Sequence, residues 1–327
     1  MPTKKRIVVP GAIAHIMARG IDGMVIFKDD DDRSYFLHLL ESAISKTGYL
    51  CYGWVLMNNH YHLIMRCSDR SLDDLMRSMN SRYARYYNMK YKRRGYLFQD
   101  RFKSIITQDQ NYLEELIRYA HLNPIRAGIC KSMEELDAYR WCGHGVLMGK
   151  TTCLFQTTDA VLRRFGSTDS SSRENYRKFI AEGASTIKDD WIVQTVRESN
   201  RGIERKERPS CWVIGDQEFV MSVMRKNEQR LRTRSALHEK WSIEDVFRRV
   251  AAEQGLELDA LKRRSRMSKV SAGRKRGAYI CCRVLGYRIE EVAAYLKISG
   301  PAVSSAIAGA GELVSKRYID KVIKLPG

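Results

Sequence analysis

Two histidines, His60 and His62, lie in a short segment whose pattern is typical of a β-hairpin. The runs on either side are rich in β-branched and aromatic residues. Asn58 and Asn59 between them predict a tight turn, because asparagine tolerates the left-handed backbone conformation. Successive side chains of a strand point to opposite faces, so we expect both imidazoles on one face of the sheet. Two imidazoles on a rigid strand make half of a metal site; the alternative is a pair of ordinary, partly buried histidines.

Tyr119 and Asn123 form a second pair of chemically capable residues, four positions apart near the end of a helix predicted from about Asp109 to Leu122. Residues four apart share a helix face. A tyrosine hydroxyl can act as a nucleophile, and an amide oxygen can bind a hard cation. Two imidazoles with one amide oxygen suit Mg²⁺ or Mn²⁺ less than an all-oxygen set, but leave positions open for phosphate oxygens. The alternative is that Tyr119 is a core residue and Asn123, before a proline, a simple helix stop.

The elements that would position these residues alternate between strands and helices. They are a strand at Ile7–Met17, a helix at Arg33–Ser45, a hairpin from Tyr49 to Met65, a helix at Leu72–Tyr87 and a strand at Tyr96–Thr107. This order predicts an α+β fold, an antiparallel sheet with helices of the ferredoxin-like, split βαβ type. We predict that this domain covers residues 1–150, with Tyr139–Gly149 closing it.

The remainder of the chain is predicted to be helical. Residues 151–235 are interpreted as a helical connector without assigned chemistry, and residues 236–327 as a separate all-α domain. In that domain Lys262–Arg276 holds eight basic residues and no acid, which predicts a basic loop. Ile289–Lys297 and Pro301–Ala310 have the pattern of a helix-turn-helix, and Pro301 suits the first position of a helix.

The charge of the chain indicates a polyanionic partner. Its 327 residues include 57 Lys and Arg against 38 Asp and Glu, a net charge of +19, which favours nucleic acid first and an acidic membrane surface second. No apolar run is long enough to span a membrane, and the basic N-terminus lacks the apolar core of a signal peptide. The eight cysteines follow no zinc or disulfide pattern. We therefore expect a cytoplasmic protein with free thiols and no membrane partner.

A segment rich in basic and aromatic residues, from Arg82 to Lys103, is a candidate surface for unpaired DNA, because aromatic rings stack on bases while cations follow the phosphates. The alternative is that its rings are core and its charges a solvated face. The candidate DNA contacts here are Arg82, Arg85, Lys92, Arg93, Arg94, Arg101 and Lys103.

Three ordered motifs strongly resemble those of the single-tyrosine HUH transposases, most closely the REP-associated tyrosine transposases. They are Asn-Asn-His-Tyr-His-Leu-Ile from residue 58, Gly-Tyr-Leu-Phe-Gln-Asp-Arg-Phe-Lys at 95–103, and the run from Tyr112 to Gly128 that contains Asn-Pro-Ile-Arg-Ala-Gly. The resemblance covers roughly residues 6–148. Three motifs in the same order are far more specific than any one alone.

The resemblance implies a DNA strand transferase dependent on Mg²⁺ or Mn²⁺, in which His60, His62 and Asn123 bind the metal and Tyr119 is the nucleophile. Such an enzyme cleaves single-stranded DNA at a hairpin or repeat through a 5′-phosphotyrosine intermediate, and a homodimer is one candidate assembly. Many relatives carry Gln where this chain has Asn123, which leaves the metal geometry open. Arg19-Gly20-Ile21 replaces the usual Arg-Gly-Asn without loss of a catalytic residue.

Residues 241–314 are similar to the DNA-binding domain of the bacterial replication initiator DnaA. The Asp-His-Thr-Thr signature of that domain is absent, and the equivalent stretch here is Ser299-Gly300-Pro301-Ala302-Val303-Ser304-Ser305. The resemblance implies duplex DNA as partner, held by a basic loop, without the initiator's sequence preference. The candidate contacts are Arg263, Arg264, Arg266, Lys269, Arg274, Lys275, Arg276, Ser304 and Ser305.

Two other functions remain open at this point: a non-catalytic DNA-binding regulator derived from a transposase, and an RNA-binding protein. His121 is expected to be structural or to face solvent, because it is two residues from Tyr119 and leaves that helix face. His15 is expected to line the same sheet as His60, with no assigned role.

Overall fold

The computed structural model describes residues 9–108, 111–186, 191–199, 201, 212–263, 265, 267–310 and 313–323. The chain divides into two compact units, residues 1–224 and residues 225–327. Among the described residues, no helix is long and apolar enough to cross a membrane.

The first unit is built on a five-stranded sheet with the strand order β2-β3-β1-β4-β5. Its strands are β1 (Ile13–Arg19), β2 (Leu50–Leu56), β3 (His60–Arg66), β4 (Lys103–Thr107) and β5 (Trp212–Ile214). β1 pairs antiparallel with both β3 and β4, and β2 pairs antiparallel with β3. β5 pairs in parallel with β4. The predicted α+β class is therefore confirmed.

The helices of this unit cover both faces of the sheet. They are α1 (Asp30–Thr47), α2 (Leu72–Lys90), α3 (Asn111–His121), α4 (Asn123–Arg126), α5 (Met133–Ala138), α6 (Gly143–Leu147), α7 (Asp159–Leu162), α8 (Asp169–Thr186), α9 (Trp191–Ser199) and the start of α10 (Gln217–Lys240). Asp29 and Ser71 cap α1 and α2, since their side chains accept hydrogen bonds from the amides three residues on.

The alternation of side chains along the strands separates two hydrophobic cores. Tyr61 and Leu63 of β3 pack with α1 and α2 on one face. Ile64 of β3 packs on the other face with α3 and with Tyr176 of α8. His60 and His62 have the parity of Ile64, so they lie on the face that α3 covers.

The turn between β2 and β3 is made differently from our expectation. Neither Asn58 nor Asn59 has a positive φ. The turn is instead held by hydrogen bonds: the Asn58 carbonyl accepts from the amides of Ile26 and Phe27, and the Asn58 side chain accepts from Arg33 at 2.8 Å. The hairpin prediction is correct, and the conformational reason given for it is wrong.

The predicted boundary at residue 150 lies elsewhere in the structure. The segment that we interpreted as a connector supplies β5 to the sheet and Tyr176 to its core, and the first unit extends to Met224. A three-residue edge strand carries too little periodicity to be recognised from sequence. Of the charged segment at residues 200–209, only Arg201 lies among the described residues.

The second unit is helical and has a core of its own. It contains the end of α10, α11 (Ile243–Glu253), α12 (Ser268–Tyr279), α13 (Ile289–Leu296), α14 (Gly300–Ala308) and α15 (Lys316–Ile323). A π-helical turn, Ile280–Leu285, continues α12 and ends at Gly286, whose φ of 98° suits glycine.

The basic segment Lys262–Arg276 is not a continuous loop, because α12 begins at Ser268. α13 and α14 are separated by three residues: Lys297 ends α13 in a left-handed conformation, and Ser299 caps α14. Pro301 is the second residue of α14, still within its first turn but one position later than the sequence predicts.

Candidate active site

Both histidines of β3 lie on the sheet face beneath α3, with their ring centroids 5.0 Å apart. His62 is buried and His60 is partly buried. The antiparallel register places them opposite Met17 and Arg19 of β1. The strand pairing on both sides of β3 therefore fixes the two imidazoles in relation to each other.

Asn59 determines which nitrogen of His60 carries the proton. The Asn59 amide nitrogen donates to the Gly23 carbonyl at 3.1 Å, so its oxygen is the atom that lies 2.7 Å from His60 Nδ1. An amide oxygen only accepts, hence Nδ1 of His60 must be the donor. The lone pair of neutral His60 is then on Nε2, the nitrogen available to a metal ion.

His15 of β1 contacts His62 directly. Nε2 of His15 lies 2.8 Å from Nδ1 of His62, and the two rings are nearly parallel, with centroids 5.0 Å apart. Nε2 of His62 is buried and has no hydrogen-bond partner in the described part of the chain. His15, which the sequence placed on this sheet without a role, is therefore in contact with a predicted metal ligand.

Burial keeps these imidazoles neutral. Desolvation lowers the pKa of His15 to about 4. Desolvation and then the charge of Arg19 lower the pKa of His60 to about 4. The pKa of His62 falls well below its usual range, first through burial and then through electrostatic interaction with the neighbouring His15, His60 and Arg126 side chains. At neutral pH each ring therefore has one unprotonated nitrogen, as metal binding requires.

Tyr119 projects from α3 toward the histidines. Its ring centroid is 6.0 Å from that of His62 and 6.1 Å from that of His15, in edge-on contact with both. The Arg126 guanidinium lies 5.1 Å from the Tyr119 ring centroid, and the Trp191 ring 5.9 Å from it. The predicted nucleophile and the predicted histidine ligands thus lie in one site.

Asn123 is held at the end of α3. Its side-chain nitrogen donates to the carbonyls of Tyr119 and Ala120 at 2.8 and 3.1 Å. These bonds satisfy carbonyls that a helix end leaves without intrahelical partners. With the amide nitrogen committed in this way, the amide oxygen is the side-chain atom that remains to bind a cation, and its role as a metal ligand stays a prediction.

The donor atoms fit a divalent cation at the histidine pair. Two observations support the fit: His62 Nε2 is buried without a hydrogen-bond partner among the described residues, and hydrogen bonding of His60 Nδ1 leaves the lone pair of that ring on Nε2. Among the described residues, no group of three or more His, Cys, Asp or Glu side chains could hold a metal ion. A cation here therefore needs an oxygen donor of another kind, such as the Asn123 amide or a phosphate of the substrate.

A chain of buried hydrogen bonds supports the end of α3 beside Tyr119. His144 Nε2 lies 2.8 Å from Asp137 Oδ1, and the Tyr176 hydroxyl lies 3.0 Å from His144 Nδ1 and 2.8 Å from His121 Nδ1. Arg177 donates to the other Asp137 oxygen. His121 is fully buried, so the expectation that it is structural fits its position and the solvent-facing alternative is wrong.

The Asp137 carboxylate determines the donor and the acceptor in each of these hydrogen bonds. Asp137 accepts from His144 Nε2, which makes His144 Nδ1 the acceptor for the Tyr176 hydroxyl. The Tyr176 oxygen then accepts from His121 Nδ1. Hydrogen bonding to His144 and Arg177 lowers the pKa of Asp137 despite its partial burial, which otherwise raises it, so the carboxylate is ionised at neutral pH.

The predicted DNA contacts of the first unit differ in their exposure. Six side chains are exposed, and Arg93 is partly buried, donating to the Asn88 side chain and to the Tyr96 carbonyl. The exposed residues are Arg82, Arg85, Lys92, Arg94, Arg101 and Lys103.

Most aromatic rings of the same segment belong to the core. Tyr83 and Tyr87 are fully buried, and Phe102 is buried. Tyr96, by contrast, is 84% exposed. The core interpretation is therefore correct for these three rings, and Tyr96 is the ring best placed to stack on a base.

The predicted DNA contacts of the second unit also differ in their exposure and in their partners within the protein. Arg263, Lys269, Ser304 and Ser305 are exposed, and Lys275 is partly buried. Two arginines have structural partners: Arg274 donates to the Leu261 carbonyl, and Arg276 pairs with Glu253 and lies over the Tyr318 ring. Arg264 and Arg266 lie outside the described residues.

Sequence reasoning missed two residues that contact Tyr119. Arg126 lies within the Asn-Pro-Ile-Arg motif, so that motif was the signal that could have identified it. Trp191 begins α9 in the segment read as a connector, where no local pattern linked it to a site 72 positions earlier in the chain.

Comparison with known proteins gives a match to one family. Residues 8–123 match the family model described as "Transposase IS200 like". A solved structure titled as a REP-associated tyrosine transposase bound to a REP hairpin is similar at 14% identity, over 49% of this chain and 93% of that chain, with a TM-score of 0.34. No curated protein sequence matches.

Proposed function

We propose that the chain is a metal-dependent DNA endonuclease and strand transferase with Tyr119 as its nucleophile, and the match of residues 8–123 to the IS200-like transposase model supports this. Its substrate would be single-stranded DNA at a hairpin or repeat. The observation that carries the proposal is that the ring centroids of Tyr119, on α3, and His62 lie 6.0 Å apart. His62 Nε2 is buried there, without a hydrogen-bond partner in the part of the chain that the structure describes.

His60 and His62 would hold Mg²⁺ or Mn²⁺ through their Nε2 atoms, with the Asn123 amide oxygen as third protein ligand. The bound ion supplies positive charge that polarises the scissile phosphate and neutralises charge on its oxygens. Arg126, 5.1 Å from the Tyr119 ring, adds a fixed positive charge on the protein side. Its guanidinium is suited to binding a phosphate oxygen.

In the chemical step, the Tyr119 hydroxyl loses its proton to solvent and its oxygen forms a bond to phosphorus. The bond between phosphorus and the 3′ oxygen breaks, and that oxygen takes up a proton. The products are a 5′-phosphotyrosine on the chain and a free 3′-hydroxyl. Attack by that or another 3′-hydroxyl on the phosphotyrosine rejoins DNA and restores Tyr119, so no external energy source is needed.

The charge distribution supports DNA as the substrate. The net charge of +19 favours a polyanion, and six of the predicted cationic contacts of the first unit are exposed. The exposed Tyr96 lies in the same segment, and a stacked base is worth about 1–3 kcal/mol in single-strand binding. These features suit an unpaired strand.

For the second unit we propose duplex binding by the pair of helices α13 and α14. Support comes from Ser304 and Ser305, which are exposed on α14, and from the exposed cations Arg263 and Lys269. Arg274 and Arg276 have structural partners, so in this proposal they support the unit and contribute less to DNA contact.

The proposed activity is tested with a labelled hairpin oligonucleotide and Mg²⁺ or Mn²⁺. His60→Ala and His62→Ala should lose cleavage by more than about 100-fold, because each removes a ligand of an ion worth several kcal/mol. His38→Ala, an exposed histidine on α1, is the matched control and should cleave normally. Normal cleavage by either site variant, or by wild type without added metal, contradicts the assignment; DNA binding without any cleavage would favour the regulator.

A further inference from the structure

We propose that His15 is a positioning residue for the metal site: it accepts a hydrogen bond from His62 Nδ1 and so holds the Nε2 lone pair of His62 ready for the cation. This inference rests on the proposed function, because it assigns a role within the same metal site.

The backbone register brings the two rings together. β1 and β3 are antiparallel partners in which Met17 lies opposite His62. His15 is two residues from Met17 and therefore projects from the same face. The result is the 2.8 Å separation between His15 Nε2 and His62 Nδ1, with both rings about 1% exposed. Both rings are shielded from solvent, so this bond does not compete with water.

Two proton arrangements are compatible with that distance, and only one suits a metal ligand. If His15 Nε2 donates, His62 must carry its own proton on Nε2, which blocks the lone pair. If His62 Nδ1 donates, the Nε2 lone pair is free. A histidine that binds a metal usually donates its other ring N–H to a protein acceptor, which fixes the tautomer and the ring orientation.

His60 supports the same arrangement independently. Its Nδ1 donates to the Asn59 oxygen, and the Asn59 orientation is set by the Gly23 carbonyl. Both members of the pair would then use Nδ1 for the protein and Nε2 for the cation. Asn59 holds one ligand and His15 the other.

The geometry also separates this role from that of a third ligand. Nε2 of His15 faces Nδ1 of His62, whereas the proposed metal-binding nitrogen of His62 is Nε2. Within the described residues, His15 does not join His60 and His62 in a three-residue group that could hold a metal ion. His15 therefore acts through His62.

The first test is the tautomer of His62 in the metal-free protein, measured by nitrogen-15 NMR of histidine side chains, with His62→Gln used to assign the signal. The inference expects a proton on Nδ1 and an unprotonated Nε2. A His62 ring protonated on Nε2 would overturn it. Because no metal is present, this result does not depend on whether the proposed function is correct.

The second test compares Mn²⁺ binding by calorimetry in the full chain. His15→Phe keeps a ring and removes the acceptor, and Mn²⁺ affinity should fall about 10–100-fold. His15→Gln places an amide oxygen near the original Nε2 position, and its affinity should stay within about threefold of wild type. His38→Phe is the control for a histidine change elsewhere.

Equal Mn²⁺ affinity in wild type and His15→Phe would refute the positioning role. If His15→Phe does not fold, an affinity loss in His15→Gln as large as in His60→Ala refutes it instead, because the restored acceptor should rescue binding. Failure of the proposed function looks different: wild type and His60→Ala would then bind Mn²⁺ equally weakly, whatever the His62 tautomer.

Discussion

Tyr176→Phe removes one oxygen atom on which two buried histidines depend. The Tyr176 hydroxyl lies 2.8 Å from His121 Nδ1 and 3.0 Å from His144 Nδ1, and all three side chains are fully buried. The phenyl ring of the variant fills nearly the same volume. The change therefore isolates two hydrogen bonds in the core beneath α3.

The expected cost follows from the two nitrogen atoms left behind. A buried polar group without a partner costs about 1–3 kcal/mol, so we expect the loss of two partners to lower the free energy of unfolding of the first unit by about 2–6 kcal/mol. His121 is two residues from Tyr119, and a looser end of α3 should also slow the chemistry that depends on Tyr119. Small displacements of a catalytic group can cost about 100-fold in rate.

The assay is urea denaturation followed by near-ultraviolet circular dichroism, together with single-turnover cleavage of the hairpin oligonucleotide. Tyr96→Phe is the matched control, because Tyr96 is 84% exposed and its hydroxyl should contribute little. Surface substitutions typically change the free energy of unfolding by about 0.5 kcal/mol or less. If the free energies of unfolding of Tyr176→Phe and the control differ by no more than that, the buried hydrogen bonds do not stabilise the unit as described.

Two further predictions concern pH and salt. Burial lowers the pKa of His15 to about 4 in the folded protein, whereas its pKa in the unfolded chain is about 6.5. The unfolded state therefore binds more protons between these pH values. As the pH falls from 6.5 toward 4, the metal-free protein should lose up to about 3 kcal/mol of stability through this group. Denaturation at a series of pH values should show a shallower loss in His15→Gln, which cannot titrate there; an identical pH dependence would contradict the assignment. For the second unit, replacing the exposed Arg263 and Lys269 with Ala should flatten the log–log salt dependence of duplex binding by about two units, since each phosphate contact contributes nearly one. The pair Lys46→Ala and Lys150→Ala, both exposed in the first unit, should leave the slope unchanged, and an unchanged slope in the first pair would exclude those two contacts.

The sequence was sufficient for the elements whose periodicity is strong. Strand alternation predicted that His60 and His62 share a face, and helical spacing predicted the helix that carries Tyr119. Both follow from local geometry, which a single segment of chain contains. The same reasoning gave the α+β class and the hairpin between β2 and β3.

The features of the site that the sequence did not predict arise from contacts between distant segments of the chain. Trp191 meets Tyr119, and Tyr176 meets His121, only because the segment after residue 150 packs on the same sheet. Short elements such as β5 have almost no pattern of their own. The partner of His15 likewise follows from strand register, which pairs residues 47 positions apart.

In the proposed reaction Tyr119 becomes covalently joined to DNA, and detection of that covalent adduct is its most direct measurement. Wild-type protein, incubated with Mn²⁺ and the hairpin oligonucleotide, should form a protein–DNA species that survives denaturation, with the 5′ phosphate mapped to Tyr119 by mass spectrometry. Tyr119→Phe should form none while binding the oligonucleotide nearly as well, since only a hydroxyl is lost. Tyr112→Phe, on the same helix, should form the adduct normally. An adduct in Tyr119→Phe, or one mapped to another tyrosine in wild type, would contradict the account.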